Sequence, residues 1–338
     1  MDTRDAFGRL LRDLRISVTD RCNFRCVYCM PKELFGANHA FLPRAKLLCF
    51  EEIAHLAGLF ARLGVTKLRL TGGEPLVRHG LENLIALLGA IPGIDDISLT
   101  TNGSLLAPEK AQSLARAGLK RITVSLDALD NDTFQAINDV KFPVERVLAG
   151  IDNAAAAGLD PVKVNMVVKR GMNDHGIEAM AEYFRGSGHV LRFIEFMDVG
   201  NTNGWRLDDV VPASDILERI HARWPIEPVQ PNYFGEVARR WRYRDGGGEI
   251  GVITSITQPF CNACTRARLS AEGQLYTCLF AGEGMDLRGL LRQGASDEFI
   301  LETLIRRWNR RNDRYSQIRS HATPGLQKKK IEMSYIGG

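Results

Sequence analysis

Apolar and polar residues alternate with two different periods along the first two-thirds of the chain. Short runs of period two predict strands at Arg15–Thr19, Val65–Thr71, Ile97–Thr101, Arg121–Leu126, Val162–Val168 and His189–Phe196. Between them, longer apolar-periodic stretches predict helices at Phe50–Arg62, Gly80–Ala90, Pro108–Ala117, Pro143–Ala157 and His175–Phe184. Strands separated by helices imply βαβ units and a parallel sheet. Crossovers of one hand then curl such a sheet into a barrel or partial barrel.

The two faces of these strands differ in kind. Side chains alternate faces, so Arg15, Ser17 and Thr19 oppose Ile16 and Val18, and Lys67, Arg69 and Thr71 oppose Leu68 and Leu70. Ser98 and Thr100 oppose Ile97 and Leu99, while Thr123, Ser125 and Asp127 oppose Ile122 and Val124. Lys163 and Asn165 oppose Val162, Val164 and Met166, and Arg192 shares a face with Ile194 and Phe196. The apolar face suits the covering helices, which leaves the polar face to line the interior. A closed eight-stranded barrel fills its interior with aliphatic chains; a polar, cationic interior predicts an open lumen around a ligand. A one-sided antiparallel sheet would show the same alternation, but the intervening helices argue against it.

After about residue 200 the pattern changes. Three prolines, Pro225, Pro228 and Pro231, follow a predicted helix at Ala213–Trp224, and a hairpin turns at Gly246–Gly248. The chain divides by pattern into a barrel over 1–200 and a C-terminal region over 201–338 that closes it. Composition adds little: 338 residues with 45% hydrophobic and 25% charged exclude collagen-like and disordered classes. A net charge of +4 is too mild for bulk nucleic-acid binding and leaves room for a local cationic pocket. With no apolar run of the roughly 18 residues a span needs and no apolar leader, a cytoplasmic protein without membrane contact is expected.

Five inward cations from four strands, Arg15, Lys67, Arg69, Lys163 and Arg192, ask for a polyanion, because unpaired buried charge is costly. Arg266 and Arg268 share one further strand face. Guanidinium forks bind phosphate bidentately and lysine acts as a point charge, so a triphosphate fits. Internal pairing with Asp127, Glu195 or Asp198 is the competing account. The basic stretch over 306–330 reads as a solvated helix face.

Six of the seven cysteines fall into two triplets, and the seventh, Cys49, reads as a buried small hydrophobe. Cys22, Cys26 and Cys29 follow the first strand with three and two residues between them. Cys261 and Cys264 form a CxxC, and Cys278 returns after thirteen residues that read as a strand pair turning at Ala271-Glu272-Gly273. Soft thiolates select zinc or iron–sulfur clusters. Structural zinc takes four ligands, so each triplet is either a zinc site completed from a distance or a four-iron cluster with one iron open.

CxxxCxxC after the first strand, in register with Thr71-Gly72-Gly73-Glu74-Pro75 at the end of the second, resembles the radical S-adenosylmethionine superfamily. Within it, the second triplet, with Thr265-Arg266-Ala267-Arg268 directly after its CxxC, resembles the GTP 3′,8-cyclases of molybdenum cofactor biosynthesis. LRLTGGEPLVR, LTTNGSLL, VSLDAL, RFIEFMDVGN, YTCLF and the terminal YIGG fit the same pattern.

The resemblance implies an α/β fold: a partial (βα)6 TIM-like barrel with a C-terminal α+β extension carrying a second iron–sulfur cluster. It implies two 4Fe-4S clusters, one on Cys22, Cys26 and Cys29 and one on Cys261, Cys264 and Cys278. S-adenosyl-L-methionine would be contacted by Tyr28, Gly73, Ser125 and Met197. GTP would be bound by Arg15, Lys67, Arg69, Thr100, Lys163, Arg192, Arg266 and Arg268. Arg266, Arg268 and the tail Gly337-Gly338, inserted in the active site, would serve catalysis. The implied reaction takes hydrogen from C3′ of GTP and joins C3′ to C8. Implied partners are a reductant protein, a downstream cyclic pyranopterin monophosphate synthase and a possible second copy of the chain, with no nucleic acid. A peptide-modifying maturase with an auxiliary cluster is the alternative within the superfamily, and a zinc protein binding RNA the alternative outside it.

Overall fold

The predicted period-two runs become the first six strands of a computed structural model that describes residues 3–319 and 330–337. They are β1 (Asp13–Ser17), β2 (Lys67–Thr71), β3 (Asp96–Thr101), β4 (Arg121–Ser125), β5 (Lys163–Val168) and β6 (Val190–Glu195). The C-terminal region adds β7 (Ile226–Val229), β8 (Arg239–Tyr243), β9 (Glu249–Ile253), β10 (Arg266–Leu269), β11 (Gln274–Tyr276) and β12 (Met285–Asp286). All twelve form one sheet, ordered β12-β11-β10-β1-β2-β3-β4-β5-β6-β9-β8-β7.

β1 to β6 pair in parallel and in sequence order. β9 adds to β6 and β10 adds to β1, both also parallel. The C-terminal region therefore extends the barrel at both edges rather than packing beside it. Residues 254–265 connect β9 to β10 and so bridge the seam between those edges. Antiparallel ribbons, β8-β7 on one side and β11-β12 on the other, finish the two ends.

The helices Phe50–Arg62, Leu81–Gly89, Pro108–Arg116, Val144–Ala156 and Ile177–Phe184 lie where the periodicity places them. Their buried faces (Ile53, Leu56, Leu84, Leu114, Ile151) meet the apolar strand face of Ile16, Leu68, Leu99, Val124 and Val164 in one core. Each such side chain contributes about 1.5–3 kcal/mol on burial, so the polar strand face has no choice but to point inward. Helix Asn131–Asn138 is not foreseen; it starts at an Asp130 cap that accepts the Thr133 N–H. No helix among the described residues is long and apolar enough to cross a membrane.

Cys49 departs from expectation. It is exposed, because it caps helix Phe50–Arg62: its Sγ accepts the Glu52 N–H at 3.3 Å while Glu52 Oε2 accepts the Cys49 N–H at 2.8 Å. This reciprocal pair is a capping box with sulfur in the usual hydroxyl role. The apolar neighbours in the sequence gave no hint of it.

Candidate active site

Strand register sets the cations side by side. Across β10, β1 and β2 the aligned residues are Arg268, Arg15 and Arg69. Two residues earlier the same row reads Arg266, Asp13 and Lys67. On the opposite wall Lys163 lies beside Thr123, and Asn165 beside Arg192. Arg15, Lys67, Arg69, Lys163, Arg192, Arg266 and Arg268 all line one cavity of about 400 Å³. Tyr28, Thr100, Ser125, Met197, Cys261, Cys264 and Cys278 line it too.

Like charges on opposed residues destabilise a sheet, and here Arg268 is buried while Arg15 and Arg69 are half-buried. Burial first, then Arg268, Arg69 and Arg266, push the Arg15 guanidinium well below its ordinary value. Burial first, then Arg69, does the same to Arg192. Arginine keeps its proton in proteins, so this penalty persists as a demand for an anion. Lys163 does titrate: burial, then Arg192, Arg121 and Arg69, bring it down to about 8. Arg69 donates to Thr100 Oγ1 at 3.2 Å, and Arg192 to Asn165 Oδ1 at 2.9 Å. Among the described residues the Nε atoms of Arg15 and Arg69 are nevertheless buried without a hydrogen-bond partner.

The carboxylates that could have neutralised the lumen are engaged elsewhere. Asp127 accepts from Tyr28 Oη at 2.5 Å and from the Val167 N–H at 2.8 Å. Glu195 accepts backbone N–H groups of Ala213, Ile256 and Thr257 at 2.7–2.9 Å. Asp198 accepts from Lys330 at 2.8 Å and Tyr315 at 2.6 Å. Among the described residues none of the three bonds to Arg15, Lys67, Arg69, Lys163 or Arg192, so internal pairing does not account for the cationic wall.

The second cysteine group sits on the seam. A short turn at Cys261–Ala263 carries the CxxC between β9 and β10. The β10–β11 pair then reverses through Ser270 and Gly273, and this returns Cys278 to the same cavity wall. Burial pushes the Cys264 thiol up, but Arg266 and Arg311 outweigh it and bring it to about 6. Their Nη2 atoms donate to Cys264 Sγ at 3.4 and 3.1 Å.

The first group occupies the loop after β1. Burial, then repulsion from Cys29 and Cys22, raises the Cys26 thiol well above its ordinary value, and Cys29 is likewise pushed up to about 12. Three thiolates can coexist there only around a cationic centre. Among the described residues no three His, Cys, Asp or Glu side chains converge as a single metal ion requires. Two sets of three half-buried soft ligands suit iron–sulfur clusters, each with one iron left for a non-protein ligand.

Tyr28, next to Cys29, lines the cavity, whereas Gly73 and the three cysteines of the first triplet do not. The Gly73 N–H donates to Thr19 O and the Glu74 N–H to Arg21 O, both at 2.8 Å. A Cβ on Gly73 would overlap the Arg21 carbonyl, so only glycine lets the two loops touch. Glu74 is buried, which raises its carboxyl to about 7. It accepts from Thr101 Oγ1 and the Asn102 N–H, both at 2.7 Å, tying the ends of β2 and β3 together.

The tail packs against Arg268 and Thr71. Gly337 is buried with φ +76°, its carbonyl accepts from Arg268 Nη1, and a Cβ there would overlap Thr71. Gly338 lies outside the described residues. Glu332 anchors the tail by accepting from the Asn201 N–H and Thr202 Oγ1 at 2.9 Å. The basic stretch is thus only partly a solvated face: Arg311 and Lys330 are buried, and Arg319 pairs with Asp198 at 2.7 Å. Asp5 and Asp198, which hold them, lie far away in sequence, and this hid the pairing from a local reading. Lys328 and Lys329 fall outside the described residues.

Residues 16–184 match the family model of the Radical SAM superfamily, and residues 189–317 that of Molybdenum Cofactor Synthesis C. The chain is 54% identical to the GTP 3′,8-cyclase of Acidothermus cellulolyticus over 99% of both chains. It belongs to the GTP 3′,8-cyclase family. Relatives of the same name from Staphylococcus haemolyticus and Staphylococcus aureus are each 52% identical, over 99% of this chain and 98% of theirs. The crystal structure of Streptococcus suis SuiB bound to S-adenosylmethionine shares the fold, with a TM-score of 0.62 at 15% identity. It covers 93% of this chain and 69% of that one.

In this family member Asp127, which alternation placed on the inward face with Thr123 and Ser125, orients Tyr28 rather than pairing with the cations. The cavity also holds residues that sequence reasoning did not single out. Tyr233 places its ring centroid 3.2 Å from Lys67 Nζ, and no local pattern pointed to it. Arg9 and Arg311 line the same wall as the second cysteine group.

Proposed function

We propose that this chain converts GTP to (8S)-3′,8-cyclo-7,8-dihydroguanosine 5′-triphosphate, an early step of molybdenum cofactor biosynthesis. The observation that carries this reading is the row of Arg268, Arg15 and Arg69, buried to half-buried and without a carboxylate partner among the described residues, on the wall that also presents Cys261, Cys264 and Cys278. When bound, the first cluster with S-adenosylmethionine supplies hydrogen-atom abstraction, and the second supplies an open iron for the substrate base.

The chain's own residues bind and orient. Cys22, Cys26 and Cys29 hold the first cluster, and Cys261, Cys264 and Cys278 the second. Arg15, Arg69, Arg192, Arg266 and Arg268 offer forks to the triphosphate, and Lys67 and Lys163 add point charges. Thr100 and Asn165 fix two of those forks in advance, so little reorganisation accompanies binding. Tyr28, locked by Asp127, forms the S-adenosylmethionine pocket with Ser125, Met197 and the Gly73 backbone. The Gly337 carbonyl orients Arg268, and the slim tail fills space beside Thr71 that water would otherwise take. A reductant protein supplies electrons, and the product passes to cyclic pyranopterin monophosphate synthase.

One consequence is a pH dependence. Lys163 is charged below about 8 and neutral above it, so the site loses a positive charge as pH rises. GTP binding measured by calorimetry is expected to weaken by up to about tenfold per pH unit above that point. Lys163→Arg should flatten the slope, since arginine keeps its proton; an unchanged slope would remove Lys163 from the site.

The function itself is tested by anaerobic turnover with reductant, S-adenosylmethionine and each of the four nucleoside triphosphates. Cyclised product is expected from GTP alone. Cofactor cleavage without a cyclised guanosine product would refute the substrate assignment.

A further inference from the structure

The second cysteine loop is gripped by two guanidiniums to which the proposed reaction gives no role. Arg311 follows helix Asp297–Asn309, and its side chain is 1% exposed. Its Nη1 donates to Asp5 Oδ2 and to Cys264 O, both at 2.9 Å, and its Nε donates to Thr277 O at 3.0 Å. The Trp308 ring lies 4.6 Å from the guanidinium carbon. Arg9 shares the same carboxylate, with Nε 2.6 Å from Asp5 Oδ2, and its Nη1 donates to Cys261 O at 2.7 Å. One fully buried aspartate thus directs a fork onto each cysteine of the CxxC, and Thr277 precedes the third cysteine.

A buried ionic network is an expensive way merely to hold a loop, since well-packed apolar residues do this as well or better. What apolar residues cannot do is donate to sulfur. Asp5, Cys264 O and Thr277 O fix two nitrogens of a rigid planar group, and this fixes where the third points. Arg311 Nη2 points at Cys264 Sγ, 3.1 Å away. Arg266 reaches the same sulfur at 3.4 Å from the substrate side. Hydrogen bonds to cluster sulfurs and nearby positive charge stabilise the more negative, reduced state.

We propose that Arg311 is a positioning residue that tunes the second cluster, donating through Nη2 to the Cys264 sulfur and holding the cluster's reduction potential up. The inference rests on the reading that Cys261, Cys264 and Cys278 hold a cluster.

The test reconstitutes the full chain, Arg311→Lys and Arg311→Gln anaerobically. It reads iron per chain and the potentiometric EPR titration of each cluster, using added S-adenosylmethionine to mark the first cluster's signal. Both variants are expected to keep their iron and leave the first cluster's midpoint unchanged. Their second cluster should move to a more negative midpoint. At the wild-type midpoint its reduced-to-oxidised ratio should fall about tenfold, the scale of one lost hydrogen bond to a charged group. Glutamine, which also removes the charge, should move it further than lysine. An unchanged midpoint in the iron-replete variants overturns the proposal. Loss of the second cluster from both variants overturns it too, leaving Arg311 a structural strut. Wild-type chain with zinc, or with only about four irons, instead defeats the cluster reading and this inference with it.

Discussion

Replacing Arg266 and Arg268 together with alanine is expected to reduce GTP cyclisation about a thousandfold. Both guanidiniums lie on the cavity wall, and Arg268 heads the row that continues through Arg15 and Arg69. Removing one partner of a buried charge pair costs about 2–5 kcal/mol, and two such losses reach about 4 kcal/mol at the low end, or three decades. The two act on one ligand and will not add simply, so the figure is an order of magnitude. Arg268 also holds the Gly337 carbonyl, which means the variant frees the tail as well as the phosphates. The first cysteine group is on the loop after β1 and not on the strand that carries Arg266 and Arg268, so reductive cleavage of S-adenosylmethionine should survive. Product mass and 5′-deoxyadenosine yield, measured on the same sample, separate the two effects. Undiminished cyclised product would remove both arginines from the catalytic wall.

Cys278→Ala should have the second large effect. Cys278 comes back to the CxxC through the β10–β11 reversal, and no other cysteine among the described residues is placed to substitute for it. The variant is expected to drop from about eight irons per chain to about four, to retain cofactor cleavage and to lose cyclisation. The Cys278 thiol is pushed up to about 12, by burial first and then by Asp313. An unliganded thiol there is therefore neutral at working pH, and only metal binding makes it an anion. Retained cyclisation in the variant would reduce this triplet to a structural element.

Much of the barrel was legible in the sequence because its two periods are clean. Strand positions, helix positions and the inward-facing cations follow from alternation alone. The cysteine spacings left zinc and iron–sulfur open and only the resemblance chose between them, while the β10–β11 turn could be read from Ala271-Glu272-Gly273. What alternation cannot supply is order. That β10 pairs with β1, setting Arg268 beside Arg15, depends on how the C-terminal region splits across both edges of the sheet. Asp5 and Arg311 are separated by 306 positions, so their ion pair has no local signature. Cys49 was misread for the opposite reason: its neighbours are apolar, but its role is set by a Glu three residues on.

The central claim is that this lumen holds GTP with C3′ facing the hydrogen-abstracting centre. Anaerobic turnover with GTP deuterated at C3′, followed by mass spectrometry of the 5′-deoxyadenosine formed, tests it directly. Transfer of deuterium into 5′-deoxyadenosine, matched by cyclised product, is the predicted result. Unlabelled 5′-deoxyadenosine accompanied by unreacted GTP would contradict it.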